Sequence, residues 1–198
     1  VAPDGTVLVR APVDIEAVVW ADIDLGDASI KVRPDGSDIF ADRRPELYGA
    51  IVAKPNPHDA VPSVERLLAA VAPGADQDAP AAPASAVRDA LARGVDFLVL
   101  PELAFLPGGT VADIGDAVAA GGQGIAQVQK MLATSKHACL VATSVVHADG
   151  DKVSHRGVLI GGSGVVLYQD TLHRCGRHPW VTAYADDVAI VDLPAGRF

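Results

Sequence analysis

A carboxylate at the carboxyl end of an apolar strand is well placed to move protons. Residues 95–105, Val-Asp-Phe-Leu-Val-Leu-Pro-Glu-Leu-Ala-Phe, supply one in Glu102. Open α/β sheets hold their ligands at such strand ends. A second reactive neighbourhood lies in residues 172–180, where His173, Arg174, Arg177 and His178 surround Cys175. Positive charge of this kind lowers a thiol pKa and makes the sulfur nucleophilic. Each feature also has a plainer reading. From spacing alone Pro101-Glu102 reads first as a turn glutamate held by nearby amides, and Cys175 with its neighbours as a loop rather than a nucleophile site. Cys139, inside His137-Ala138-Cys139-Leu140-Val141, reads as a buried strand thiol acting as a small hydrophobe. His58, His147 and His155 form no i,i+4 pair, and no acidic residue stands with them at a metal-ligand spacing, so neither a metal nor a cofactor is expected. The glycines of residues 161–164 join two strand-like segments without a following helix, which makes them hairpin punctuation rather than a phosphate cradle.

The elements that must position Glu102 alternate strand and helix, the pattern of an α/β fold. Residues 85–93 are helix-like, and Gly94 supplies the break before the strand that ends at Glu102. Residues 17–25 and 50–53 read as strands, and residues 55–62 as a loop. Residues 63–71 read as a helix capped by Ser63, and residues 73–83 as an exposed loop. After Glu102 come a turn at 105–109 and a helix over 124–136, with Ile125, Val128 and Leu132 on one face. A strand over 139–147 follows. Asp149-Gly150 then predicts a tight hairpin into residues 153–160, and the 161–164 reversal leads into a strand at 165–169.

With its flanks, the Pro101-Glu102 segment resembles the glutamate segment of the carbon–nitrogen hydrolase (nitrilase/amidase) superfamily. The resemblance has a second part. Glu16-Ala17-Val18-Val19-Trp20-Ala21-Asp22-Ile23-Asp24-Leu25, followed by Asp42-Arg43-Arg44-Pro45-Glu46-Leu47-Tyr48, looks like the end of such a domain. It implies that residues 1–49 are the C-terminal tail of one nitrilase-like domain and residues 50–198 the N-terminal portion of another, in tandem or as a circular permutation. The implied fold is the nitrilase-like α-β-β-α sandwich, incomplete or permuted. The implied chemistry uses a thiol, a carboxylate and a cation on a small nitrile or amide.

Glu102 takes the general-base position in this scheme, and the nucleophilic cysteine falls beyond Phe198, well after Cys175. The lysine segment matches Leu167-Tyr168-Gln169-Asp170-Thr171-Leu172-His173, which places Asp170 where the family has its lysine. An aspartate there offers no cation, and beside Glu102 it would raise a carboxylate pKa by repulsion. His173 or Arg174 are then the candidate auxiliary cations, with a solvated loop residue the plainer reading of each, and a catalytically silent domain serving assembly or ligand binding is the competing reading. Glu102 and Asp170 are expected to converge. Residues 17–25 are expected to lie beside the main sheet, and Trp180 over its mouth. Residues 42–46 with Tyr48 form either an exposed salt-bridged tail or a crossing to a neighbouring subunit, and a homo-oligomer is expected by family resemblance.

Composition narrows the partners. The 198 residues carry a formal net charge of −9 and no basic stripe, which argues against nucleic acid. No apolar run reaches the ~20 residues that span a bilayer, and no secretory signal opens the chain, so the expectation is a cytoplasmic protein without membrane contact. Two cysteines make no disulfide framework. A chain beginning at Val1, with Met131 as its only methionine, is expected to be a processed or excised piece whose partners include the remainder of a longer parent chain.

Overall fold

The computed structural model describes residues 1–49, 67–72, 83–193, 196 and 197. Its centre is one five-stranded mixed sheet with two α-helices. In chain order these are β1 (Ala69–Val71), α1 (Pro83–Ala92), β2 (Phe97–Val99), α2 (Ile114–Ala133), β3 (Leu140–Asp149), β4 (Lys152–Gly161) and β5 (Gly164–Asp170). A separate two-stranded ladder joins β6 (Asp192–Leu193) to β7 (Gly196–Arg197). The main sheet runs in the order β1-β2-β3-β4-β5. β1, β2 and β3 are parallel, linked through helices, whereas β3, β4 and β5 form an antiparallel meander. The β3–β4 reversal pairs Asp149 with Lys152, and Gly150 takes the positive φ of 58° that this turn requires.

Both helices lie against one face of the sheet. A single buried cluster joins Val87 and Ala90 of α1 and Val128 and Leu132 of α2 to Leu98, Val141, Val145, Val158 and Ile160 from the strands. Side chains alternate across a strand, so Ala142, Ser144, His155 and Gly157 project from the opposite face. The chain therefore builds a mixed α/β unit with one helix layer on one sheet layer. The described residues form one half of the α-β-β-α arrangement implied by the resemblance.

Three expectations need correction. The helix over 124–136 is longer and begins at Ile114, where Asp113 caps it by accepting a hydrogen bond from the Asp116 N–H at 2.9 Å. The helix carries Gly121, Gly122 and Gly124 in its interior. Two of them permit close approach, since a Cβ at Gly121 would lie 3.1 Å from Val145 and one at Gly124 only 2.2 Å from the Phe105 ring. Residues 69–71 belong to strand β1 and not to a helix, because they pair with β2. Residues 17–25 form no strand beside the sheet. Val18 and Trp20 are exposed at 94% and 80%, and the segment ends in a 3-10 turn, Leu25–Ser29. Strand propensity needs a ladder partner to be realised. The readings at 50–66 and 73–82 lie outside the described residues.

The Arg-Pro tail binds its own chain. The Arg44 guanidinium donates to the carbonyls of Leu172 at 3.2 Å and Ala185 at 2.6 Å, and to the carboxylates of Glu46 and Asp186. The Tyr48 hydroxyl lies 3.1 Å from His173 Nε2, with the two rings stacked. The tail thus braces residues 171–186. Arg44→Ala is expected to speed amide exchange at Ala185, whose N–H bonds to the Thr171 carbonyl, and to quicken proteolysis of this loop. Unchanged exchange would leave the tail without a bracing role.

Candidate functional site

Glu102 leaves the carboxyl end of β2, and its backbone is fixed by β3. The Thr143 hydroxyl donates to the Pro101 carbonyl at 2.8 Å, and the Leu103 N–H donates to the Ser144 hydroxyl at 3.0 Å. Leu103 is buried at 2% exposure among Ala117 and Val146, and has φ of 50°. It is the one non-glycine residue with positive φ among the described residues. A left-handed leucine costs on the order of 1–2 kcal/mol, and strain of this kind concentrates at functional sites. Here it turns the chain immediately after Glu102, so the strain, the buried Leu103 side chain and the Ser144 bond together fix where the carboxylate can reach.

The carboxylate reaches two histidines. Glu102 Oε1 lies 3.7 Å from His155 Nδ1 and 3.7 Å from His178 Nε2, ion-pair range rather than hydrogen-bond contact. Glu102 is half-exposed, whereas both histidine side chains are 12% exposed. The other His155 ring nitrogen, Nε2, sits 2.7 Å from Ser144 Oγ, so a single hydroxyl organises both the Glu102 turn and the imidazole. Burial first, and then the neighbouring His178, push the His155 pKa down. Trp180 flanks both imidazoles, with centroids 5.7 Å from His155 and 5.3 Å from His178. Its expected place over the mouth of the sheet is thereby given specific neighbours. The loop carrying His178 and Trp180 is tied to the strand before His155, since the N–H groups of Thr182 and Ala183 both donate to the Val153 carbonyl.

Glu102, Ser144, His155, Gly157 and His173 line a cavity of about 570 Å³, together with Asp170. The two acids do not converge as carboxylates. Asp170 accepts a bidentate pair of bonds from Arg156, at 2.7 and 2.8 Å, and one from the Ser154 hydroxyl at 2.9 Å. Ser154 and Arg156 alternate with His155 on β4, so the Asp170 carboxylate is committed to the opposite face from the one that meets Glu102. Its partnership with Arg156, not repulsion from Glu102, sets its acidity.

The bonds from Arg156 foremost, assisted by Ser154, lower the Asp170 pKa. A carboxyl whose folded pKa is depressed stabilises the fold above its unfolded pKa and loses that contribution as pH falls through the folded value. Asp170→Asn is therefore expected to cost about 1–2 kcal/mol near neutral pH. The difference from the parent chain should shrink on acidification below the ordinary carboxylate value of 3.8. Urea unfolding across that range measures it, and a pH-independent difference would contradict the ion-pair account.

Neither proposed auxiliary residue reaches Glu102 as a free cation. His173 lines the cavity but is engaged by Tyr48, and Arg174 is exposed with its guanidinium 4.0 Å from Asp42. Arg177, an exposed residue, does feel Glu102: its pKa is raised by the neighbouring Cys175 first and then by the charge of Glu102. Cys139 is buried, and burial, with the charge of Asp96 added, pushes its pKa up to about 11, which keeps it a thiol at neutral pH. His155 and His178 were missed as partners of Glu102 because they come from β4 and a distant loop. No local spacing encodes a meeting that the meander alone produces.

No protein-family model matches the chain, and no curated protein does. Among solved structures, an amidase from Nesterenkonia sp. matches with 12% identity and a TM-score of 0.46, over 66% of this chain and 51% of that one. A variant of the Nesterenkonia AN1 amidase from the nitrilase superfamily matches at 11% identity and a TM-score of 0.47 over the same shares. A glutamine-dependent NAD(+) synthetase from Cytophaga hutchinsonii matches at 15% identity and a TM-score of 0.44, over 59% of this chain and 21% of that one. The chain spans about half the length of these amidases and about a fifth of the synthetase. A likeness of this degree assigns no role to any residue; it records a partial structural similarity to nitrilase-superfamily amidases and to that synthetase.

Proposed function

We propose that this chain is part of a carbon–nitrogen hydrolase-like protein, in which Glu102 serves proton transfer while a thiol supplied from outside residues 1–198 attacks a small nitrile or amide. The observation that carries this reading is the setting of Glu102: a carboxylate at the carboxyl end of a parallel strand, on the rim of a cavity, aimed by the strained Leu103 and the Ser144 hydroxyl. In this role Glu102 accepts the thiol proton as sulfur bonds to the substrate carbon. It then passes the proton to the departing nitrogen and takes one from the water that releases the acyl group. His178 lies 3.7 Å from the carboxylate, and Arg177 is close enough to feel its charge.

A catalytically silent domain is the second reading, and a specific observation favours it. At the position where the resemblance calls for a lysine, Asp170 is spent on a structural pair with Arg156. The two readings separate in one experiment on the full-length protein that contains this chain. Hydrolysis of a panel of small amides and nitriles, followed by mass spectrometry, is expected in the parent and nearly absent in Glu102→Gln. Turnover indifferent to Glu102→Gln would mean that this domain is silent and that catalysis resides elsewhere.

A further inference from the structure

We propose that Glu102, His155 and His178 form a binding site for a divalent transition-metal ion of the zinc type, with the cavity beside Glu102 leaving one coordination position open. Glu102, His155 and His178 each offer a donor atom within 4.8 Å of the other two. Donors at 2.0–2.2 Å from zinc and at tetrahedral angles sit about 3.3–3.6 Å apart. Both carboxylate-to-imidazole separations are 3.7 Å, so a shift of a few tenths of an ångström brings those donors into place. Two imidazoles and one carboxylate suit a borderline ion better than calcium or magnesium, which prefer all-oxygen sets.

The surroundings match what a ligand set needs. His155 uses Nε2 on the Ser144 hydroxyl, which orients the ring so that Nδ1 faces Glu102, the outer-shell device that fixes metal-binding imidazoles. Trp180 walls both rings and limits water access from that side. On the other side, the cavity of about 570 Å³ is lined by Glu102, Ser144 and His155, room for a water or a small ligand as fourth donor. One group opposes a cation, Arg177; it is exposed, so its field is screened, and it can turn toward solvent when Glu102 is taken by an ion.

This site goes beyond the proton-transfer reading and constrains it. An ion on Glu102 occupies the oxygen that would carry the proton, so zinc is expected to inhibit amide turnover in the full-length protein, with relief on chelation. Binding is tested on the 198-residue chain without an affinity tag, by calorimetric titration with zinc and by the visible absorption of the cobalt(II) form. One ion per chain is expected, with cobalt bands of a four- or five-coordinate site. The titration is expected to lose its saturable phase in His178→Gln and in Glu102→Gln, each checked for fold by circular dichroism, and to keep it in His147→Gln. His155→Gln serves as the alternative variant should either of the first two misfold. No saturable binding, or binding unchanged in folded His178→Gln, overturns the site. The outcome is independent of the hydrolase reading, because the titration needs no turnover and His178→Gln leaves Glu102 in place.

Discussion

Glu102→Gln is expected to lower hydrolysis of a responsive amide or nitrile by about 10²–10⁴-fold in the full-length protein, the range over which a positioned acid–base group contributes. Glutamine keeps the shape and the exposure of the side chain but cannot take a proton. The backbone anchors through Thr143 and Ser144 do not involve the carboxylate, so stability should change little. The loss should fall on the chemical step, lowering kcat more than it alters KM. If the attacking thiol comes from outside residues 1–198, as proposed, the 198-residue chain alone is expected to show no useful turnover, since groups that act as one unit lose most of their effect when one is missing. Activity in the isolated chain that is abolished by Cys175→Ala would identify Cys175 as the nucleophile instead.

The parts of this site that can be read in the sequence are those encoded locally. The helix–glycine–strand unit ending at Glu102, the hairpin at Asp149-Gly150 and the reversal before β5 each depend on a few neighbouring residues, and each stands as expected. What depends on tertiary pairing does not follow. Residues 17–25 have the composition of a buried strand yet find no ladder, and Ala69–Val71 lie at the end of a helix-like run yet pair with β2. Asp170 does line the cavity, but the strand face on which its carboxylate is spent is a matter of register, settled by Arg156 opposite it. The same register turns His155 toward Glu102. The alternation of β4 could have shown that His155 and Arg156 face opposite ways. Only the loop's return to Val153 brings His178 and Trp180 to the same place.

The glycines of α2 supply the other large expected effect. Gly124→Ala is expected to destabilise the fold by about 1–3 kcal/mol, the usual range for overpacking, although alanine exceeds glycine in helix propensity by roughly 1 kcal/mol. The added Cβ would lie 2.2–2.6 Å from Cγ and both Cδ atoms of Phe105, too near the root of the ring for a simple rotation to clear it. Phe105 must move, and with it the turn that begins at Glu102. Gly122 on the same helix is exposed, and a Cβ added there would meet nothing within 4 Å, so Gly122→Ala should be neutral or stabilising by up to about 1 kcal/mol. Urea unfolding of both variants separates packing from propensity. Pairing Gly124→Ala with Phe105→Leu should recover part of the loss, a coupling expected only between residues in contact. If Gly124→Ala proves as benign as Gly122→Ala, then Phe105 does not sit over this helix, and the turn that aims Glu102 is held by Leu103 and Ser144 alone.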